Sequence, residues 1–119
     1  MQKVLIACNN PHILKFFQQS GIPLVTCATA NTALAYLEEH TVQAVILTEE
    51  LPDGTNGLLV YRALRNQLGL LDTPVTLFAD SRHMHVHVAD LAKTDPHIRV
   101  ADTTTDLPSL VRPYTATAA

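Results

Sequence analysis

Five short apolar runs, alternating with helical patterns, limit the folds open to this 119-residue chain more than any other feature. The runs occupy residues 4–7, 24–27, 44–47, 75–78 and 98–100. Each run is too short for a helix, and most lack the polar alternation of a half-exposed strand. Such runs are typical of parallel strands that are buried on both faces. The fifth run, with Arg99 at its centre, is the weakest strand candidate.

Helix-start signals follow the first three runs. Asn10, Asn31 and Asn56 are predicted to be N-caps, and Pro11 stands at the first helical position after Asn10. A fourth helix is predicted to follow residues 80–81, and a short final helix spans residues 107–112. The outer side of the third helix is predicted to carry Arg62, Arg65 and Asn66. The inner side of the fourth helix is predicted to carry Met84, Val88 and Leu91.

Alternation of this kind predicts a single α/β domain built on a parallel sheet, with right-handed crossovers that place helices on both faces. We expect residues 1–112 to form this domain. Residues 113–119 are small and lack periodicity, so they are predicted to be a flexible tail or the start of a linker.

Composition excludes several classes of protein. A net charge of −3 gives no basic footprint for direct nucleic-acid binding. The apolar runs are far shorter than the roughly 18 residues of a membrane span. Charged residues make up only 16% of the chain, against roughly 25% in an average domain. Cys8 and Cys27 are too few for a disulfide scaffold, so we expect a cytoplasmic protein with reduced thiols, a redox switch being the lesser alternative.

One stretch is more specific than periodicity. Residues 44–52, AVILTEELP, followed by residues 57–65, GLLVYRALR, resemble the third strand, loop and third helix of bacterial response-regulator receiver domains. Residues 3–9, 29–34 and 73–79 are similar to the first strand, the second helix and the fourth strand of that family. The resemblance covers residues 1–112. It implies a flavodoxin-like, doubly wound, five-stranded parallel sheet of order 2-1-3-4-5, with the site at the carboxyl ends of the strands.

The resemblance also implies a lost active site. Receivers use acids after the first strand, an aspartate nucleophile, a Ser or Thr switch and a lysine, which together handle Mg²⁺ and the phosphoryl group. The matching positions of this chain hold Cys8, Asn9, Thr48, Ala79, and Ala101 or Asp102. Glu50 matches the residue whose backbone carbonyl binds the metal, and its side chain either approaches the pocket or belongs to a solvated acidic loop. Thr48 as a substitute phosphorylation site is the weaker alternative, because its hydroxyl is expected at a half-buried strand end. The chain therefore resembles a degenerate pseudo-receiver whose small neutral pocket closes without a metal or cofactor.

A histidine-rich segment, residues 83–87, lies on the fourth predicted helix. His83 and His87 share one helical face with Asp90, a set that could hold zinc or nickel. The alternatives are a solvated face, or a contact surface that responds to pH because histidine changes charge near neutrality. In receivers this helix and the fifth strand meet partners. The predicted partner face comprises His83, His87, Asp90 and Arg99.

Three functions remain open from the sequence. The first is a signalling module that works without phosphorylation, through a protein partner, an attached output domain or a homodimer. The second is a small-molecule or metal sensor that uses the vacated pocket or the His83/His87 face. An enzyme on the same fold ranks last, because the sequence offers no nucleophile–base pair.

Overall fold

The computed structural model describes residues 3–79 and 82–101, and in them strands alternate with helices throughout. The strands are β1 (Lys3–Ala7), β2 (Leu24–Thr26), β3 (Val42–Thr48), β4 (Val75–Phe78) and β5 (Ile98–Ala101). The helices are α1 (Pro11–Gln19), α2 (Ala30–Glu39), α3 (Gly57–Asn66) and α4 (Arg82–Ala92). All five predicted strands are present.

The strands form one parallel sheet in the order β2-β1-β3-β4-β5, which confirms the predicted topology. The seven-residue strand β3 lies at the centre. Its Leu47 is in register with Ala7 of β1 on one side and with Leu77 of β4 on the other. The carboxyl ends of β1, β3 and β4 therefore meet at one edge of the sheet.

Successive strand residues point to opposite faces, so the sheet divides the core into two clusters. The larger cluster contains Leu5, Leu47 and Leu77 together with apolar residues of α2, α3 and α4. The smaller cluster contains Ile6 and Phe78 together with apolar residues of α1. Helices therefore cover both faces, which explains why the inner strands are apolar at nearly every position.

The helix starts follow local side-chain chemistry, with one correction. Asn10 accepts hydrogen bonds from the amides of His12 and Ile13 and caps α1, and Asn56 likewise caps α3. The prediction that Asn31 caps α2 is wrong. Thr29 is the cap, because its hydroxyl accepts from the Thr32 amide while the Thr32 hydroxyl accepts from the Thr29 amide. This reciprocal pair is a capping box.

A second correction concerns Arg65, which was expected on the outer side of α3 but is buried. Its Nε donates to Asp95 Oδ2 at 2.9 Å, and its two terminal nitrogens donate to the carbonyls of Leu70 and His97. The Tyr61 hydroxyl donates to the same Asp95 oxygen at 2.5 Å. We call Tyr61, Arg65 and Asp95 the Arg65–Asp95 clamp, because it ties α3 to the turn that follows α4.

The clamp shifts the acidity of its members. Burial by itself raises the pKa of Asp95, but hydrogen bonds from Tyr61, Arg65 and the His97 amide, with the Arg65 charge, outweigh burial and leave that pKa below 3.8. Burial first, and then the Asp95 carboxylate, raise the pKa of Tyr61 above 10.0. Both shifts favour the form that the clamp needs, a charged Asp95 and a neutral Tyr61.

Some predictions fall on residues outside the described part. These are the start of the fourth helix at residues 80–81, the final helix at 107–112, the tail at 113–119 and the pocket residue Asp102. Among the described helices, none is long and apolar enough to cross a membrane.

Candidate functional site

An open cleft lies where β1 and β3 end, between the starts of α1 and α3. It has a volume of about 720 Å³ and is lined by Asn9, Asn10, Pro11, Thr48, Glu49, Glu50, Gly54 and Asn56. Three predicted site residues, Asn9, Thr48 and Glu50, are therefore brought together here. The expectation that small neutral residues let this pocket close is wrong, because the loops on both sides leave the cleft between them.

Thr48 joins the two loops that border the cleft. Its side-chain oxygen accepts a hydrogen bond from the backbone amide of Asn9, at 3.0 Å, and donates one to the carbonyl of Glu50, at 2.6 Å. The residue is only 8% exposed, so it is buried rather than half-buried as the sequence suggested. One hydroxyl thus connects the β1–α1 loop to the β3–α3 loop.

The start of α3 is held tightly against the end of β3. The Gly57 amide donates to the Glu49 carbonyl at 2.9 Å. A Cβ atom on Gly57 would lie 2.1 Å from the Thr48 carbonyl oxygen, so a larger residue cannot take this place without a backbone shift. Glycine is therefore part of what positions Thr48 and the cleft.

The other described pocket candidates, Cys8, Ala79 and Ala101, are buried at the ends of the strands and do not line the cleft. Ala79 and Ala101 are buried, and the Ala79 amide donates to the Ala101 carbonyl at 2.8 Å. Cys8 is buried among the residues that pack on α1, and its Sγ lies 3.2 Å from the Asn10 carbonyl. Burial raises the pKa of Cys8 above 9.0, although hydrogen bonds from the Asn10 and Leu14 backbone partly offset it.

Cys8 and Cys27 occupy opposite faces of the sheet. Cys8 belongs to the smaller core cluster with α1, whereas Cys27 packs against the larger one. Both cysteines are free, and burial raises the pKa of each thiol. A disulfide between them would require one side chain to leave its core cluster and turn to the other face of the sheet, which argues against the redox-switch alternative.

The cleft fits a divalent ion poorly. The positions after the first strand that supply carboxylates in receiver domains hold the buried Cys8 thiol and the Asn9 amide in this chain. The hydroxyl of Thr48 is engaged by its two backbone partners, and the Glu50 carbonyl already accepts its proton. Among the described side chains, no three of His, Cys, Asp or Glu are grouped closely enough to hold a metal. Among the described residues that line the cleft, the charged side chains are the carboxylates of Glu49 and Glu50, so the charge that they give it is negative.

The described residues of the predicted partner face do not share one surface. His87 is half-buried, and its Nε2 accepts a hydrogen bond from the Arg62 guanidinium of α3 at 3.3 Å. Asp90 is exposed and pairs with Lys93 at 3.1 Å. Arg99 lies between residues of β5 that face α4, so it points to the opposite face of the sheet. The side chain of His83 lies outside the described part.

Comparison with known proteins identifies the fold. No family model and no curated protein sequence matches this chain. A CheY-like receiver domain protein from Methanospirillum hungatei is 14% identical with a TM-score of 0.74, over 98% of this chain and 93% of that chain. The Francisella response regulator 1452 receiver domain is 17% identical with a TM-score of 0.71, over 98% and 95%. A structure described as adenylate cyclase from Rhodopirellula baltica is 14% identical with a TM-score of 0.74, over 97% and 85%.

The chain therefore has the CheY-like fold of response-regulator receiver domains, as the motifs in its sequence implied. A shared fold does not carry activity with it. Function has to be argued from the cleft and the surfaces described above.

Proposed function

We propose that this chain is a receiver-like signalling and regulatory module that works without phosphorylation, through contact with a protein partner or an attached output domain. The observation that carries the proposal is the double hydrogen bond of Thr48, at the position where receivers hold the nucleophilic aspartate. The receiver fold supports the signalling role, and the chemistry of the cleft supports independence from phosphate.

Thr48 is a poor nucleophile in this setting. Attack on a phosphoryl group would require its hydroxyl to release the Glu50 carbonyl and the Asn9 amide and to leave a buried position. The Thr48 proton is donated to the backbone carbonyl of Glu50, so neither lining carboxylate, Glu49 or Glu50, receives it in this arrangement. Phosphoryl transfer also needs cations to absorb negative charge. Among the described residues that line the cleft there is no Lys or Arg, and the two carboxylates would repel a phosphoryl group.

The same hydroxyl gives the loops a connection that needs no metal. In receivers a divalent ion is held jointly by the first-strand acids and the loop after the third strand. Here Thr48 links the amide of Asn9 to the carbonyl of Glu50, which joins the same two loops with neutral groups. The module is therefore expected to keep one conformation of these loops, and its signal is expected to depend on the presence of a partner.

Intact-mass spectrometry after incubation with acetyl phosphate and Mg²⁺ tests the proposal. We expect no phosphoryl adduct on the wild-type chain, while a phosphorylatable receiver treated in parallel gains one. The matched variant is Thr48→Asp, which restores a carboxylate alone. We expect it to remain unmodified, because the described lining of the cleft holds no Lys or Arg and Cys8 and Asn9 stand in place of the first-strand acids. An adduct on the wild-type chain would contradict the proposal, whereas an adduct on Thr48→Asp alone would contradict only the reasoning about the rest of the cleft.

A second candidate function is supported by the size of the cleft. Its volume of about 720 Å³ lies within the roughly 300–1,000 Å³ of small-molecule sites. A sensor of a small polar molecule would raise its melting temperature by several degrees on binding, through linkage. A thermal-shift screen with Thr48→Val as control separates this function from the first.

Zinc binding at His83 and His87 is the metal-sensing form of this alternative, and it is tested by equilibrium dialysis against a His83→Ala/His87→Ala variant.

The setting of the module is part of the same proposal. Residues 1–112 act as one cytoplasmic domain that is not an enzyme and does not itself bind nucleic acid or membranes, with residues 113–119 as a tail or linker. The net charge of −3 supports the absence of nucleic-acid binding, and the engaged hydroxyl of Thr48 supports the absence of an enzymatic role. The partner of this module can also be a second copy of the chain, which gives a homodimer.

A further inference from the structure

A second pocket lies at the amino-terminal edge of the sheet, on the opposite edge from the cleft, between the turns that precede β4 and β5. It has a volume of about 410 Å³, and its lining includes the Arg65–Asp95 clamp, Leu71, Asp72, Pro96 and His97. The Val75 amide donates to the His97 carbonyl at 2.8 Å, which joins the two turns. The volume falls in the lower part of the roughly 300–1,000 Å³ range of ligand pockets. Among the described lining residues, none is shared with the cleft.

The buried part of this pocket is the Arg65–Asp95 clamp, which is fixed before anything binds. The terminal nitrogens of Arg65 donate to the Leu70 carbonyl at 2.6 Å in one turn and to the His97 carbonyl at 3.4 Å in the other. Asp95 also accepts from the His97 amide at 2.9 Å, and the Arg65 guanidinium lies over the Tyr61 ring, 5.3 Å from its centroid. A site that is already fixed loses little freedom on binding, which favours association.

The rim of the pocket combines an apolar side chain with a carboxylate. Leu71 is 63% exposed, and the side chain of Asp72 beside it is 97% exposed. Nε2 of His97 lies 3.6 Å from Asp72 Oδ1, but an imidazole carries charge only when it is protonated. The charge of Arg65 in the lining is already balanced by Asp95. The described lining therefore carries one unbalanced negative charge, on Asp72, whenever His97 is neutral.

We propose that this pocket is a docking site for an arginine side chain of a protein partner. The methylene groups of arginine lie along Leu71 and Pro96 while its guanidinium meets Asp72, because long basic side chains cover apolar surface and keep their charge near water. A guanidinium can form two parallel hydrogen bonds with a carboxylate, which favours arginine over lysine. Arginine is also enriched among the residues that dominate the energy of protein interfaces. This inference rests on the proposed interaction function and gives the chemistry of the partner.

NMR titration of the full chain with the blocked peptide acetyl-Ala-Arg-Ala-amide tests the inference. The matched probe carries citrulline in place of arginine, which keeps the shape of the side chain but removes its charge. We expect the arginine peptide to give saturable shifts of the Leu71, Asp72, Thr94 and His97 amides, with a dissociation constant of about 1–10 mM. The citrulline peptide should bind about threefold to fivefold more weakly, because a single exposed ion pair contributes little more than that.

Variants of the rim separate the charge from the apolar contact. Asp72→Asn should weaken the arginine peptide by about threefold to fivefold and leave the citrulline peptide unchanged. Leu71→Ser should weaken both peptides, because it removes the apolar surface that both side chains cover. Asp53→Asn, at an exposed position in the loop between β3 and α3, makes the same change of charge and should bind as wild type does. All three variants should keep the wild-type urea midpoint, because exposed substitutions change stability little.

Several results would overturn the inference. One is a wild-type chain without saturable shifts at about 20 mM arginine peptide. Another is equal binding of the two peptides, or arginine-peptide binding that Asp72→Asn leaves unchanged. Shifts confined to Asn9, Thr48 and Glu50 would place the basic group in the cleft instead. Shifts of the pocket amides that follow the concentration of the chain without peptide would assign the pocket to a second copy.

This test and the phosphoryl test fail separately. The pocket and the cleft lie at opposite edges of the sheet, so a phosphoryl adduct would leave the peptide titration unchanged. A chain that binds neither peptide would equally leave the phosphoryl result unchanged.

Discussion

Replacing Thr48 with valine tests whether the hydroxyl bridge holds the loops of the cleft. Valine keeps the branched shape of threonine but removes the oxygen that accepts from the Asn9 amide at 3.0 Å and donates to the Glu50 carbonyl at 2.6 Å. Each hydrogen bond contributes about 0.5–1.5 kcal/mol net. Asn9 and Glu50 are exposed residues, so water can satisfy part of what they lose. We therefore expect a loss of about 1–2 kcal/mol, which corresponds to a drop in melting temperature of roughly 5–10 °C.

Urea unfolding monitored by circular dichroism measures this loss, and hydrogen exchange of the Asn9 amide locates it. We expect the urea midpoint to fall with an unchanged slope, and the Asn9 amide to exchange faster than in wild type. Thr26→Val is the matched control, because Thr26 lies exposed on the edge strand β2. It should change stability by less than about 0.5 kcal/mol. Equal midpoints for Thr48→Val and wild type, with equal protection of the Asn9 amide, would refute the bridge.

Three further predictions concern the clamp, the start of α3 and pH. Asp95→Ala leaves the buried Arg65 guanidinium without its carboxylate, and urea unfolding should show a loss of about 3–5 kcal/mol. Gly57→Ala forces a Cβ to within 2.1 Å of the Thr48 carbonyl oxygen and should cost at least about 1–3 kcal/mol. Stability measured against pH should fall at both ends. The lowered pKa of Asp95 gives stability that is lost as pH drops through that pKa, below 3.8. The raised pKa values of the Cys8 and Cys27 thiols and of the Tyr61 hydroxyl give stability that is lost as pH climbs above 9.0.

Controls for these predictions use neighbouring residues of the same type. Asp90→Ala removes an exposed carboxylate, so a loss as large as that of Asp95→Ala would argue against the clamp. Gly54 has a φ of +86° and nothing within 4 Å of a Cβ, so Gly54→Ala should cost about 1–2 kcal/mol of backbone strain with no steric contact added. For the pH profile, the control is a Tyr61→Phe/Asp95→Asn variant. If its stability fell below pH 3.8 as steeply as that of the wild type, the role given to the clamp would be contradicted.

Most of the fold could be predicted because its signals are local. The apolar stretches of β1, β3 and β4 reflect burial on both faces of the sheet, and Asn10 and Asn56 cap the helices that follow them. The start of α2 was misplaced because Asn31 and Thr29 are both good caps. Thr32, three residues after Thr29, completes the capping box and was the signal that decides between them.

The features that were missed depend on residues far apart in the chain. Arg65 reads as a solvated helix residue, because its partner Asp95 lies 30 positions away. The bridge of Thr48 depends on the Asn9 amide, 39 positions away. Neither partner leaves a mark in the local pattern. Only the packing of α3 on the sheet and the meeting of β1 with β3 bring these groups together.

Beryllofluoride titration by NMR tests most directly whether this receiver fold works without a phosphoryl group. Beryllofluoride with Mg²⁺ takes the place of a phosphoryl group on a receptive aspartate, so it probes metal and phosphoryl sites at once. We expect the amide signals of Asn9, Thr48, Glu50 and Ala79 to stay in place when beryllofluoride is added to a sample that already contains Mg²⁺. Saturable shifts confined to these amides would contradict the account and would assign an active phosphoryl site to the cleft.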